Sequence, residues 1–240
     1  MKKHIFFDMD GTLTPSRQTI EPNMEGLLSI LHQYCDIVIV SGAQDDQMAV
    51  QIPRGIFPAF RLSQNGNVAV SPNKRCPLWK NELNWIQKRK VFDLVCKILK
   101  ETDTEPFPDL VEDRGSQISY SATGHHAPLE EKRAYDPSGS HRGFLMRNTF
   151  RKEFEYLRGT KGVQASIGGT TCIDFYIHSK GENVAKLVGE MGWIPTECLY
   201  IGDALFEGGN DATVKGVIET RQVRDHKECE RVVLELLAKV

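Results

Sequence analysis

Short apolar runs alternate with helical spacings at both ends of the chain. The run IFFDMD at residues 5–10 predicts a buried strand, residues 21–34 carry apolar positions at helical spacing, and residues 36–42 form a second apolar run. A strand, a helix and a strand in this order predict a βαβ unit with a right-handed crossover. Residues 184–240 repeat this order, with a strand at 198–203. Both ends are therefore expected to share one parallel sheet.

The middle of the chain has a different pattern. A long helix is expected over residues 81–99 and another near 145–157, and apolar and polar residues alternate in the segments DLVEDR, SQISYSA, GVQASIGG and CIDFYIH. Alternation predicts half-exposed antiparallel strands, and helices on one face would complete an α+β layer. The prediction is an α/β fold: a Rossmann-like parallel-sheet domain (1–77 and 180–240) with an inserted α+β domain (78–179).

Composition narrows the classes of partner. The 240 residues contain 30 Lys and Arg against 32 Asp and Glu, so no global charge favours nucleic acid or a membrane surface. The N-terminal apolar run breaks at Asp8, and no window reaches the roughly 18 apolar residues that a membrane span needs. The six scattered cysteines lack zinc-ligand spacing and predict free thiols in a cytoplasmic protein. A small-molecule substrate is expected, and a homodimer is left open.

Polar residues follow the predicted parallel strands. Asp8 and Asp10 end the first strand, Ser41 and Gly42 end the second, and the C-terminal segment supplies the others: Lys180, Asp203 and Asp211. Parallel sheets bind their ligands at this edge. Paired carboxylates repel each other unless a cation compensates, and Mg²⁺ accepts such oxygen ligands. A nucleophilic carboxylate, a second carboxylate for proton transfer, a divalent cation, a hydroxyl and a lysine suffice for phosphoryl transfer.

Several of these features have simpler explanations when taken alone. An acidic pair is common in loops, Ser41 could be a turn residue, and Lys180 could lie at the surface with Lys186 as its rival. Asn65 in SQNGN could occupy a left-handed turn. The GGTT segment at 168–171 lacks the lysine and spacing of a phosphate-binding P-loop, so a hairpin turn is the better interpretation.

The motifs DMDGTLT, SG, SKG and GDALFEGGND, in this order, resemble those of the haloacid dehalogenase superfamily. The resemblance implies that Asp8 is a nucleophile that forms an aspartyl-phosphate and that Asp10 is the general acid and base. It implies phosphate binding by Ser41, Gly42 and Lys180. Mg²⁺ would be held by the Asp8 side chain, the Asp10 backbone carbonyl and Asp203, with Asp211 as a further partner. The inserted domain would be a cap of the C2 (IIB) type that closes over the sheet.

A narrower resemblance, to eukaryotic-type phosphomannomutases, rests on DGTLTPSRQTI, SQNGN, the segment from EDR to LEEKR, SIGGTTCIDF and GDALFEGGND. It implies hexose phosphate contacts from Arg17, Arg114 and Asp174. His125 and Lys132, with Arg133 beside it, stand where that family has two cap arginines, and Cys172 replaces a serine. Together with Asn65 these are the candidate substrate-binding residues. Lysine and histidine lack the bidentate fork of arginine.

Two enzymatic hypotheses follow. The first is a phosphomannomutase-like interconversion of mannose 6-phosphate and mannose 1-phosphate, which needs a cap that grips a second phosphate. The alternative is a sugar-phosphate phosphatase, in which water attacks the same aspartyl-phosphate and no second phosphate site is required. The resemblance through both domains favours the mutase by a small margin. A non-catalytic binding protein on the same fold is the third hypothesis, which the intact catalytic motifs disfavour.

Overall fold

The apolar runs at the two ends of the chain form strands of one sheet, and the alternating middle segments form another. In this computed structural model residues 2–73, 76–104 and 108–239 are described. The elements in chain order are β1 (His4–Asp8), α1 (Pro22–Leu31), β2 (Asp36–Val40), α2 (Asp45–Gln51), β3 (Phe60–Ser63), β4 (Val68–Val70), β5 (Trp79–Lys80), α3 (Trp85–Glu101), β6 (Val111–Asp113), β7 (Gln117–Ser121), α4 (Leu129–Tyr135), α5 (Ser140–Phe144), α6 (Arg151–Lys161), β8 (Gln164–Gly168), β9 (Cys172–Tyr176), α7 (Lys180–Glu190), β10 (Cys198–Gly202), β11 (Glu219–Gln222) and α8 (His226–Leu237).

The first sheet has seven strands in the order β11–β10–β1–β2–β3–β4–β5. Its first five strands run parallel, and β4 and β5 are added antiparallel. Neighbouring residues of a strand point to opposite faces, and accordingly Phe7 packs in one core with residues of α1 and α8 while Phe6 packs in another with residues of α7. Both faces are covered, as a parallel sheet requires.

The second sheet is antiparallel, with the order β6–β7–β9–β8. Residues of α3 and α6 share its apolar core with Ile118 and Phe175. The helix α3 begins later than the predicted residue 81 because Asn84 caps it: the Asn84 side chain accepts from the Gln87 backbone, and the Gln87 side chain accepts in return. The helix expected near 145–157 is interrupted by a π-helical turn at Leu145–Thr149.

The chain divides into two units, one formed by residues 1–80 and 179–240 and the other by residues 81–178. The predicted α/β fold, with a Rossmann-like parallel sheet and a separate α+β part, is confirmed. The predicted boundaries, 78–179 inserted between 1–77 and 180–240, stay a prediction. All six cysteines are free thiols. Within the described residues, no helix combines the length and the apolar character of a membrane span.

A buried ion pair fastens the hairpin between β8 and β9 in the second unit. Arg142 Nε donates to Asp136 Oδ2 at 2.9 Å, and its Nη1 donates to the carbonyls of Gly168 and Cys172, each at 3.0 Å. The two side chains are only 3% and 2% exposed. Burial alone would raise the pKa of Asp136, but donors from Arg142 and His141 hold it below its ordinary value. The pair is therefore ionised at neutral pH.

Replacing Asp136 by asparagine is expected to lower the free energy of unfolding by about 3–5 kcal/mol, because it leaves the Arg142 charge buried without a counterion. Urea unfolding followed by circular dichroism measures this. The matched control is Asp93→Asn, which removes an exposed pair with Lys90 and should change stability by less than about 1 kcal/mol. Equal effects of the two substitutions would contradict the role of the buried pair.

Candidate active site

The carboxyl edge of the parallel sheet collects the polar residues of the first unit. Asp8 is the last residue of β1 and lies in register with Val40 at the end of β2, so Ser41 follows directly beside it. Asp203 follows β10, the strand on the other side of β1. Lys180 is the first residue of α7, after the N-cap Ser179. Parallel pairing therefore brings these side chains to one edge.

Lys180 joins two of the aspartates. Its Nζ lies 2.5 Å from Asp8 Oδ1 and 2.7 Å from Asp211 Oδ1, and its side chain is only 1% exposed. Burial would lower the pKa of Lys180, but the charges of Asp211 and Asp8 outweigh burial and raise it. The lysine is therefore a fixed ammonium ion. No described residue donates a hydrogen bond to the second Asp8 oxygen, Oδ2.

Asp211 is held by several donors at once. Besides Lys180, the Tyr200 hydroxyl donates to Oδ1 at 2.7 Å and the Ala204 backbone N–H donates to Oδ2 at 3.2 Å. The carboxylate approaches the backbone so closely that a Cβ at Gly202 would lie 2.3 Å from Asp211 Oδ2. Asp211 is thus the fixed counterion that positions the Lys180 ammonium.

Three carboxylates offer oxygen atoms that lie within 4.8 Å of one another: those of Asp8, Asp203 and Asp211. Burial, followed by the charge of Asp211, raises the pKa of Asp203 to about 6, and burial is also the largest cause that raises the pKa of Asp8. One ammonium cannot balance three carboxylates. Oxygen ligands and an excess of negative charge are what a hard divalent cation such as Mg²⁺ requires, so these residues fit one.

The Asp10 side chain takes a different direction from this group. Its Oδ1 accepts from the Arg17 backbone N–H at 2.6 Å and from Gln51 Nε2 at 2.9 Å. The Arg17 backbone has a left-handed φ of 58°, and the Arg17 side chain is exposed. Asp10 therefore lies near the Asp8, Asp203 and Asp211 carboxylates because it follows β1. Its own carboxylate makes no contact with that group.

Ser41 and Asn65 are joined through their backbones. The Ser41 hydroxyl accepts from the Ala43 N–H at 3.0 Å, and the Asn65 N–H donates to the Ser41 carbonyl at 2.8 Å. Asn65 has φ 57°, so the left-handed turn considered from the sequence is present, and its carbonyl accepts from Asn183 of α7. Gly42 lies between Ser41 and Ala43 and is half-buried. This turn links the segment after β2 to the helix that carries Lys180.

The predicted cap residues form a cluster within the second unit. Arg114 donates to Glu112 Oε2 from Nε at 2.9 Å and from Nη2 at 2.5 Å. His125 Nε2 lies 3.1 Å from the Ser119 carbonyl, and the Ser119 hydroxyl donates to Asp174 Oδ1 at 2.6 Å. Burial is the main cause that lowers the pKa of His125, against the opposing charge of Glu112. Burial therefore favours the neutral form of the imidazole.

The remaining cap candidates differ in burial and in their contacts. Lys132 is buried, and its Nζ donates to the His125 carbonyl. Arg133 is exposed. Cys172 is buried in β9, and its carbonyl is one of the oxygens bound by Arg142. Arg114 and Lys132 thus already have partners inside the second unit.

Asp174 should make stability depend on pH. Burial, against the opposing charge of Arg114, raises the pKa of this carboxyl above its ordinary value. A raised pKa in the folded state means that folding is favoured while Asp174 is protonated, and that this stabilisation is lost as pH rises from the unfolded value of about 3.9 through the folded value. Asp174→Asn is therefore expected to raise the melting temperature at pH 7 and to leave it nearly unchanged at pH 3. A loss of stability at pH 7 would contradict the assignment.

Sequence reasoning did not identify several residues that shape the site. Tyr200 is predicted only as a member of the strand at 198–203, and the sequence predicts no role for Gln51 or Arg142. Only Tyr200 carried a usable signal, because its hydroxyl interrupts an otherwise apolar strand that an aspartate follows. Glu112 and Ser119 lie in strands where apolar and polar residues alternate. The alternation does not distinguish a polar face that lines a site from one that faces solvent.

The chain resembles known proteins in sequence. No family model matches the chain. The chain is 27% identical over 229 residues to the phosphomannomutase of Saccharomyces cerevisiae, covering 86% of this chain and 82% of that protein. It is 25% identical over 265 aligned positions to a probable phosphomannomutase of Caenorhabditis elegans, covering 97% and 96%.

Solved structures share the fold at lower identity. An IMP-nucleotidase of Plasmodium falciparum, bound to IMP, superposes with a TM-score of 0.71 at 14% identity over 98% of this chain and 68% of that one. A phosphatase of the haloalkanoate (HAD) superfamily from Bacteroides thetaiotaomicron gives 0.64 at 14% identity over 100% and 96%. The chain therefore has the fold of the haloacid dehalogenase structures and resembles the phosphomannomutases in sequence.

Proposed function

We propose that this protein is a Mg²⁺-dependent phosphoryl-transfer enzyme that acts on a hexose phosphate through an aspartyl-phosphate on Asp8. The observation that carries the proposal is the environment of Asp8. One of its oxygens is bound by the Lys180 ammonium, and no described residue donates to the other. A carboxylate held in this way keeps one oxygen available to attack phosphorus.

In the first half-reaction an Asp8 oxygen forms a bond to phosphorus while the bond from phosphorus to the sugar oxygen breaks. Asp10 gives a proton to that leaving oxygen. In the second half-reaction an acceptor hydroxyl attacks the phosphorus, gives its proton to Asp10, and restores the Asp8 carboxylate. Ser41, Gly42 and Lys180 are proposed to bind the phosphoryl oxygens, since they lie at the same edge of the sheet as Asp8.

The Asp8 and Asp203 carboxylates and the Asp10 backbone carbonyl are proposed to hold Mg²⁺. The cation, when bound, offsets the negative charge that carboxylates and phosphate bring together. Asp211 belongs to the same acidic group, but its oxygens already accept three hydrogen bonds. We assign it to Lys180 and to the surroundings of the cation, in keeping with the further-partner role that the family resemblance implies.

The acceptor in the second half-reaction distinguishes the two candidate activities. A phosphomannomutase-like reaction passes the phosphate to a second hydroxyl of the hexose, and the relatives named phosphomannomutase support it. A sugar-phosphate phosphatase passes it to water. The second unit supports the phosphatase, because Arg114 is paired with Glu112, Lys132 donates to a carbonyl, and burial lowers the pKa of His125. A second phosphate would have to compete for these cations.

Substrate contacts are proposed for Arg17 and Asn65 in the first unit, and in the second unit for the predicted set Arg114, His125, Lys132, Arg133, Cys172 and Asp174. The arrangement of Asp174, Ser119 and His125 offers carboxyl, hydroxyl and imidazole groups, which suit sugar hydroxyls. A small phosphorylated sugar in the cytoplasm is the proposed partner. The homodimer stays a prediction.

Phosphorus NMR separates the two activities. The protein is incubated with Mg²⁺ and mannose 1-phosphate, with and without a catalytic amount of hexose 1,6-bisphosphate. Formation of mannose 6-phosphate that depends on the bisphosphate establishes the mutase. Release of inorganic phosphate alone establishes the phosphatase. Neither product from this or other hexose monophosphates would contradict a hexose phosphate substrate.

A further inference from the structure

Gln51 is a buried residue whose amide contacts the loop after β1, and it has no part in the proposed mechanism. It is the last residue of α2 and is only 2% exposed. Its Nε2 donates to Asp10 Oδ1 at 2.9 Å and lies 3.3 Å from Thr14 Oγ1 and 3.4 Å from the Gln18 carbonyl. A buried amide that points its donor end at an aspartate constrains the direction of that carboxyl group.

The two oxygens of Asp10 are not equivalent. Oδ1 accepts from Gln51 Nε2 and from the Arg17 backbone N–H, whereas no described residue donates to Oδ2. A carboxyl proton does not sit on an oxygen that faces two N–H donors, because the hydrogens would collide. When Asp10 is protonated, its proton is therefore carried by Oδ2.

We propose that Gln51 is a positioning residue that orients Asp10 so that Oδ2 exchanges the proton with the sugar oxygen. The inference rests on the proposed function. In the first half-reaction the Asp10 Oδ2–H bond breaks and an O–H bond forms on the leaving oxygen, while the bond from phosphorus to that oxygen breaks and Asp8 bonds to phosphorus. Without the Gln51 donor, the carboxyl group can rotate and present either oxygen.

The loss of this orientation should depend on the leaving group. A sugar alkoxide is a poor leaving group and needs the proton as the bond to phosphorus breaks, whereas 4-nitrophenolate leaves without one. A purely structural role, such as bracing the loop through Thr14 and Gln18, would reduce the rates for both substrates alike. The ratio of the two rates therefore reports positioning specifically.

The test measures kcat/KM for Gln51→Met, an apolar change of similar shape. Two substrates are used: mannose 6-phosphate, whose consumption is followed, and 4-nitrophenyl phosphate. Complete loss of general acid catalysis costs about 10²–10⁴-fold, so loss of orientation alone is expected to cost about tenfold on the sugar phosphate. Less than a twofold change is expected on the aryl phosphate. The control is Gln47→Met on the same helix, because the Gln47 side chain makes no polar contact within the described part of the chain. It should change neither rate.

Equal losses on the two substrates, or no loss on the sugar phosphate, would overturn the proposal. If Gln51→Met does not fold, Gln51→Glu keeps the shape, removes the donor and repels Asp10, and the same selective loss is expected from it. A failure of the proposed function is recognised separately: the wild-type protein would then lack turnover of both substrates, or its turnover would survive Asp8→Asn.

Discussion

Asp8→Asn is expected to reduce turnover of both 4-nitrophenyl phosphate and hexose phosphates by about 10⁴-fold or more, the scale of loss when an enzyme loses its covalent nucleophile. The amide has nearly the shape of the carboxylate, and its oxygen can still accept from Lys180, but it does not attack phosphorus. Steady-state kinetics with Mg²⁺ present measures the effect.

The control for this substitution is Asp46→Asn, which makes the same chemical change at an exposed position in the first turn of α2. It should leave turnover within about twofold, because surface changes away from a site have little effect. Persistence of turnover in Asp8→Asn would show that another group receives the phosphate, and the assignment of the nucleophile would then be wrong.

Lys180→Met is expected to have the second largest effect. Removing one preorganised cation from a site that stabilises developing negative charge costs about 10²–10³-fold in rate. It also leaves the buried carboxylates of Asp8 and Asp211 without their counterion, and breaking a buried ion pair costs about 3–5 kcal/mol of stability. Kinetics and thermal unfolding of the same variant measure the two effects.

Lys186→Met is the matched control, because Lys186 lies on the same helix and was the rival phosphate-binding lysine in the sequence. Its Nζ lies 4.5 Å from the centroid of the Trp79 ring, a cation–π contact worth about 0.5–2 kcal/mol. Turnover should be unchanged. If Lys186→Met lost activity and Lys180→Met retained it, the two lysines would have to exchange roles.

The sequence predicted the site best where an apolar run predicted a strand and a polar motif directly followed it. Short apolar runs predicted the three strands β1, β2 and β10, and the parallel arrangement then required that Asp8, Ser41 and Asp203 meet at one edge. The helix α7 begins at Lys180, four residues before the predicted helical segment at 184, because Ser179 and Glu182 form a capping box. These groups are close because local structure and topology fix their positions.

Long-range contacts were not readable in this way. Gln51 reaches Asp10 across 41 positions of the chain, and Arg142 binds carbonyls of a hairpin 26 or more positions away. Neither residue stands in a pattern that distinguishes it from a surface residue. The π-helical turn after Phe144 was equally invisible, because an inserted residue leaves the apolar spacing on both sides helical.

The second unit illustrates a different limit. The sequence identified Arg114, His125 and Lys132 as cations that could bind an anion. A sequence does not reveal whether such a side chain already has a partner within the protein. In the structure Glu112 pairs with Arg114, and the His125 carbonyl accepts from Lys132. Whether His125 and Lys132 can replace the family's cap arginines therefore depends on whether their charges are available to a ligand, as well as on the residue type.

The central claim is that phosphate passes through a covalent bond to Asp8, and the most direct measurement is to trap that bond. The wild-type protein is mixed with Mg²⁺ and a hexose phosphate, quenched in acid within the first turnover, digested and analysed by mass spectrometry. We expect a phosphorylated peptide containing residues 4–17, with the phosphate on Asp8, labile to hydroxylamine and missing in Asp8→Asn. Turnover with no phosphorylated peptide, or with the phosphate on another residue, would contradict it.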